Sequence, residues 1–281
     1  MASFYRPWPI DRHMTSQEAY KPAIWRLRQA TLGDSNVWLT LQHPTSLELM
    51  RESLTSLPSP SDKETILTFV HLLPGIETPF DVQKEFEAWV LQGDTTAPYL
   101  DVTGRNVRLV WRGRRGLAFA PMQAAEDCVA AATAFSHVYS ALSAEESRLE
   151  KTWQSMTDDA ALTHDVQRAA LREQCRVNQM TRQFQTARIF VARMDIALQR
   201  PEPTLSTATR RLFGELVLQA DLISRVRVLD DAIEVGEDLY ELANDRMIEH
   251  RNYLVEVWIE TAILLAILAE LAVLLVDFFS R

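Results

Sequence analysis

The sequence predicts an α+β fold: a small α/β sheet head over residues 1–121, a long α-helical hairpin or stalk over 122–252, and a hydrophobic C-terminal helix over 253–281. Three observations predict it. Short strand-like and helix-like stretches alternate up to Pro121, punctuated by Pro and Gly. Beyond Pro121 the only prolines are Pro201 and Pro203 and the only glycines Gly214 and Gly236, as long helices require. The last 26 residues before the terminal pair, Leu254 to Phe279, are almost wholly apolar.

In the head, Glu18 to Ala30 reads as a helix and Asn36 to Gln42 (NVWLTLQ) as a strand. Ser46 to Leu54 (SLELMRESL) reads as a helix opened by a Thr/Ser cap, with Glu48 and Glu52 in its early turns. Ser56 to Glu64, rich in Pro and Ser, is a loop. Thr65 to Leu72 has the unbroken apolar character of a buried strand and is closed by Pro74 and Gly75. Asp81 to Leu91 is an amphipathic helix. Asn106 to Arg112 and Leu117 to Ala120 form a strand pair joined by the Gly113–Gly116 hairpin loop.

In the stalk, Met122 to about Thr157 is an alanine-rich helix and Ala161 to Gln199 a long one. The second carries Val177, Met180, Phe184, Ala187, Val191, Met194 and Leu198 at heptad spacing, a seam suited to helix–helix packing. The chain turns at Pro201 to Thr204. Ser206 or Thr207 then caps a third helix, which runs through Val226, Leu229, Ile233, Gly236 and Tyr240 into the tail. Seams of this length imply an antiparallel helical hairpin or bundle, coiled-coil-like and open to sharing between subunits.

The tail joins two incompatible characters. Glu256, Glu260, Ile263, Ile267, Glu270, Leu274 and Asp277 recur in steps of four and three and share one stripe of a helix. The rest of the circumference is Leu, Ile, Val, Ala, Trp and Phe. Twelve Leu, Ile and Val residues lie between Val257 and Val276. They favour membrane insertion by about 4–7 kcal/mol, whereas each carboxylate at mid-bilayer costs about 2.5–3.5 kcal/mol. The two terms nearly cancel, so a protonated Glu270, or Glu270 facing a second copy of the helix, tips the sum toward insertion. At ~1.5 Å per residue the segment reaches ~37 Å, enough to cross a ~30 Å hydrocarbon core. Arg246, His250 and Arg251 precede it and Arg281 follows it, placing the body on the cytoplasmic side or its organellar equivalent. The competing expectation is a helix buried in a soluble oligomer, where the glutamates fix register.

Composition excludes several function classes. A hydrophobic fraction of 47% and a charged fraction of 24% suit a folded protein. The net charge of −9 argues against sequence-specific DNA binding. Two cysteines, Cys128 and Cys175, fit a reducing compartment. The N-terminus lacks the apolar core of a secretory signal. The glycines form no phosphate-binding motif, the histidines no HExxH, and no serine sits in a nucleophile elbow. No enzyme activity, cofactor or metal site is therefore expected. The acidic pairs Asp158-Asp159 and Asp230-Asp231 read as solvated surface, and His71 as a hydrogen-bonded core residue. One basic cluster stands out: Arg105, Arg108, Arg112, Arg114 and Arg115 around Trp111. It is a candidate docking patch for anionic lipid, acidic protein or RNA backbone, or else the polar edge of a hairpin.

The second half resembles the family called required for meiotic nuclear division, related to sporulation proteins. The resemblance rests on SRVRVLDD (Ser224 to Asp231), LYELANDRMIEHRNYL (Leu239 to Leu254) and the ten-residue spacing of Glu260 and Glu270. It extends over about residues 122–278. Two departures occur: Thr204 and Leu205 stand where the family has Trp or Phe, and Val255 to Trp258 replaces its Leu-Glu-Trp entry in shifted register. The resemblance implies an anchored, self-associating protein whose mitochondrial members support organellar translation. The expected function is thus a non-enzymatic, membrane-tethered homo-oligomeric scaffold that engages a protein or ribonucleoprotein partner. The alternatives are a cation- or proton-conducting oligomer lined by Glu260, Glu270 and Asp277, and a soluble regulator whose tail is an oligomer core.

Overall fold

A computed structural model describes residues 22–31, 36–57, 65–74, 78–164 and 173–280, with side chains described as far as Val273. The head is a seven-stranded mixed sheet built from β1 (Ala23–Gln29), β2 (Leu39–Leu41), β3 (Leu47–Leu54), β4 (Thr65–Leu72), β5 (Leu100–Thr103), β6 (Arg108–Arg112) and β7 (Arg115–Phe119). Their order is β2-β3-β1-β4-β7-β6-β5. Neighbours are antiparallel except β4 and β7, which run parallel. Helix α1 (Phe80–Leu91) lies on one face, where Phe86 and Val90 pack with Ile24, Val70, Leu72, Val110, Leu117 and Phe119. The other face presents Leu27, Leu49, Leu67, Phe69, Leu109 and Trp111 to the first stalk helix, α2 (Met122–Asp159). A sheet covered on both faces buries its central strands on both sides, which is why β4 reads as a continuous apolar run.

Two of the expected head helices are strands. Of Glu18 to Ala30, the described part forms β1, and residues 18–21 lie outside the described residues. Leu, Arg, Gln and Ala tolerate a helix, but β1 is laddered between β3 and β4, so sheet pairing overrides local preference. Ser46 to Leu54 is the strand β3. Leu47 and Leu49 are buried while Glu48 between them is exposed, a period of two that the nominal Thr/Ser cap obscures. Strand β5 was unexpected: Leu100 and Val102 point inward from only four residues. The β6–β7 hairpin is tighter than expected. Arg112 and Arg115 are paired, leaving Gly113 and Arg114 as the turn, with Gly113 at φ +60.

The helical part is α2, a 3-10 turn over Ala160–Thr163, α3 (Gln174–Gln199), α4 (Thr207–Gln219) and α5 (Leu222–Ser280). Residues 165–172 of the expected second helix lie outside the described residues. The expected third helix is two. Ser206 caps α4 by accepting from the Thr209 N–H at 3.0 Å, and α4 stops at Ala220. Asp221, at φ +50, turns the chain before α5 begins, a left-handed conformation that breaks any continuous helix. The break lets α4 pack on α2 while α5 packs on α3.

Helices α3 and α5 are antiparallel, since Phe184 stacks on Tyr240 at 5.6 Å while the later Arg188 reaches the earlier Asp230 at 2.9 Å. The α3 seam is placed as expected: Val177, Phe184, Ala187, Val191 and Met194 are buried, and Met180 and Leu198 are half-buried against the same core. On α5 the facing seam is Leu222, Val226, Leu229, Ile233, Tyr240, Ala243 and Met247, all buried. Gly236 completes its heptad because only a missing Cβ admits the Phe184 ring. Sheet and stalk share one hydrophobic core, so packing runs across the sequence boundary at residue 121.

Candidate functional site

Three places concentrate unusual chemistry: the basic hairpin, the end of α5, and a polar cleft at one end of the sheet. The hairpin cluster is dispersed by the fold. Trp111 is fully buried, its indole N–H donating to Ser136 Oγ at 2.7 Å and its ring edge-on to Phe135 at 4.8 Å. It therefore cannot dock a partner, because an apolar ring on the α2 face of β6 is consumed by the core. Arg112 donates to the carbonyls of Leu91 (2.7 Å) and Asp94 (3.1 Å). Arg115 donates to the Trp89 carbonyl and lies over the Trp89 ring. These two cations satisfy the open carbonyls at the C-terminal end of α1, where the helix dipole also favours positive charge. Arg108 is gripped by both oxygens of Asp101 and by Glu87, and those bonds push its pKa further up. Arg105 is exposed in the β5–β6 turn. Arg114 points elsewhere, lining the cleft described below.

The end of α5 behaves differently from its beginning. After Met247 the seam fades: His250, Leu254 and Val257 are half-buried, and every described residue from Trp258 to Val273 is exposed. Trp258 is 73% exposed and Val273 68%, with Ile259, Ile263, Leu264, Leu265, Ile267, Leu268 and Leu271 each at 50% or more. Among the described residues, partner helix α3 begins at Gln174, and its buried seam begins at Val177. Glu256, Glu260 and Glu270 share this exposed segment with Ile263 and Ile267. Leu274 and Asp277 lie on the α5 backbone, but their side chains fall outside those described. Among the described residues no helix is long and apolar enough to cross a membrane. The apolar run continues in sequence to Phe279, past the last described side chain.

Asp159, expected on the surface, is buried. Its Oδ2 accepts from the Tyr240 hydroxyl at 2.9 Å and its Oδ1 from Arg176. This cluster ties the end of α2 to α3 and α5, and burial followed by the Asp159 bond pushes the Tyr240 hydroxyl pKa up. Asp230 and Asp231 lie at the surface as expected, Asp230 pairing there with Arg188 at 2.9 Å across the α3–α5 seam. His71 is a core residue as expected: it is fully buried and its Nε2–H donates to the Ala120 carbonyl at 2.7 Å.

The cleft has a volume of about 910 Å³. One wall is the end of the sheet, with Arg28 of β1, Thr65 of β4 and Arg114 of the β6–β7 turn. The other is α2, which contributes Ser136, Tyr139, Ser140, Ser143, Glu146, Ser147 and Glu150 at spacings that keep them on one face. Arg225 of α5 closes the side, bonding Glu146 and Ser143 and lying over the Tyr139 ring. Asp94 also lines it, and hydrogen bonds from the Thr96 hydroxyl and N–H hold the Asp94 carboxyl below the usual carboxylate range. The sequence carried a legible signal for this wall, a serine at every third or fourth position of an alanine-rich helix. Nothing local told that the stripe faces the sheet end.

No family model matches the chain, and no curated protein matches it. Among solved structures it is similar to one described as the structure of the full-length CmaX protein, at 13% identity over 88% of this chain and 83% of that one. The TM-score is 0.27, a likeness too slight to carry an argument.

Proposed function

We propose that the protein is a non-enzymatic scaffold whose head and stalk are tethered to a membrane, and paired with further copies, through the end of α5. One observation supports the reading above the others: the same helix is packed through Met247 and bare from Trp258 to Val273. A contiguous bare apolar surface of this kind on a folded chain marks an interaction or membrane site. The acidic stripe explains why one copy is insufficient. Glu260 and Glu270 offset much of the insertion energy unless a neighbouring helix shields them. The resemblance to the meiotic-division family points the same way, with the head as the part that meets a protein or ribonucleoprotein partner.

Flotation of the full chain with phospholipid vesicles, followed by carbonate extraction, tests the tether. Expected are flotation, resistance to carbonate, and higher-order species in mild detergent. Leu264→Arg with Leu268→Arg, each costing about 3 kcal/mol at mid-helix, should abolish flotation. A chain that stays monomeric and monodisperse in detergent-free buffer removes the reading. Ion flux through reconstituted vesicles, lost in Glu270→Leu, would favour the conducting alternative over the scaffold.

A further inference from the structure

The polar cleft, independent of the tether, has the make-up of a ligand site. Its sheet wall is set by strand register. Arg28 is the cross-strand partner of Thr65, and on the other side of β4 the Thr68 N–H donates to the Arg114 carbonyl at 2.9 Å. Strands β1 and β4 and the β6–β7 turn thus bring Arg28, Thr65 and Arg114 to one end of the sheet, where all three line the cleft. Glu52 holds the Arg28 guanidinium by its Nε at 2.8 Å, fixing its orientation. Thr65 is 6% exposed, yet its Oγ1 has no hydrogen-bond partner. Buried hydroxyls are almost always paired, and one left unpaired destabilises the fold. An unpaired hydroxyl on the wall of a cleft that two arginines also line is what a site looks like when its ligand is the missing acceptor.

The opposite wall has the reverse character. Ser140 and Ser147 spend their hydroxyl protons on the carbonyls of His137 (3.0 Å) and Ser143 (2.9 Å), which leaves their lone pairs to accept. Glu146 is already engaged by Arg225, while Glu150 stands exposed among the lining residues. Arg28, Thr65 and Arg114 thus face Ser140, Ser147 and Glu150 across a volume in the range of small-molecule sites, with the Asp94 carboxylate held by Thr96 at the sheet side and Arg225 held by Glu146 at the helix side.

We infer that this cleft binds a phosphate-bearing, hydroxyl-rich small molecule of sugar-phosphate or nucleotide size. The phosphate sits against Arg28, Thr65 and Arg114, since planar guanidinium groups favour oxyanions with several acceptor oxygens. The body of the ligand donates hydroxyls to Ser140, Ser147 and Glu150. Inorganic phosphate would engage only the first wall.

Calorimetric titration of the detergent-solubilised full chain tests this, with AMP, glucose 6-phosphate, adenosine, glucose and inorganic phosphate as probes. At least one phosphorylated probe is expected to bind ~10-fold or more tightly than both its unphosphorylated form and phosphate alone. Thr65→Val should weaken that binding by ~10-fold while raising the melting temperature of the ligand-free protein by ~2–4 °C, because an unpaired polar atom leaves the core. Thr65→Ser should retain binding. The inference is overturned by any of three results: no phosphorylated probe binds below about 1 mM, the range of weak metabolite sites; phosphate alone matches the larger probes; or Thr65→Val binds like the parent or melts lower.

Discussion

The same chemical change, glycine to alanine within a helix, should have opposite effects at the two glycines of the stalk. Alanine gains about 1 kcal/mol of intrinsic helix preference over glycine. At Gly214 in α4 an added Cβ meets nothing within 4 Å, so Gly214→Ala keeps that gain. At Gly236 in α5 it would sit 2.2, 2.4 and 2.7 Å from three atoms of the Phe184 ring. Ordinary carbon contacts need ~3.5–4.0 Å, so the ring must retreat by more than about 1 Å. It has nowhere to go: Phe184 is buried and stacked on Tyr240, whose hydroxyl is bonded to Asp159. Overpacking of a closed core costs about 1–3 kcal/mol, and a clash this deep falls at the upper end. Net of the helix gain, Gly236→Ala should destabilise by about 2 kcal/mol. At ~2–4 °C per kcal/mol for a chain of this size, the melting temperature should drop by ~4–8 °C, against a rise of ~2–4 °C for Gly214→Ala. Thermal unfolding of the full chain in mild detergent, followed by circular dichroism, reads both. Adding Phe184→Leu to Gly236→Ala should cost less than the sum of the two single changes, because the smaller side chain relieves the contact. If Gly236→Ala melts at or above the parent, the close antiparallel seating of α3 on α5 is wrong.

Two further outcomes follow from buried groups. Burial lowers the pKa of His71 and of His137, with bonds to the Ala120 and Thr45 carbonyls opposing it in part. The unfolded chain therefore takes up protons first: the stability these neutral rings contribute is present above about pH 6.5 and is lost as pH falls through their folded values. The urea midpoint should fall between pH 7.5 and 5.5, and a drop that persists undiminished in the doubly substituted His71→Gln, His137→Gln protein would count against this assignment. Burial, reinforced by the Asp127 carboxylate, pushes the Cys128 thiol up to about 12, while Cys175 is exposed. One equivalent of maleimide should thus react at neutral pH, at Cys175, with the second thiol labelled only after unfolding; two fast equivalents would contradict the packing of α2.

Local pattern carried far where elements are long. The α3 seam from Val177 to Leu198 spans three heptads, and so long a repeat admits one face only, the one that the structure buries on α5. Strand β4 was legible because eight residues of nearly unbroken apolar character suit a strand covered on both sides. The bare end of α5 was equally legible, since a helix oily around its circumference has no single inward face to offer its own body. Among the short segments, the strands β2, β6 and β7 were legible, but β1 and β3 were not. Ala23–Gln29 and Leu47–Leu54 suit either state, and their choice came from hydrogen-bonding partners distant in sequence. Helix α4 parts from α5 at Asp221 with neither proline nor glycine to announce it, because the turn serves the packing of α4 on α2.

By itself, then, the order of residues determined the head-then-stalk architecture, the stalk seam and the bare apolar stretch from Trp258 to Val273, all properties written in repeats longer than any competing local preference. Tertiary structure alone decided which charges and aromatics became interior. It put Trp111 under α2, gave Asp159 to Tyr240 and Arg176, set Arg112 and Arg115 on the end of α1, and brought Arg28 and Thr65 beside the serine face of α2. The physical reason is that burial of a polar group depends on a partner supplied by another element, and a sequence read locally has no term for a partner tens of residues away.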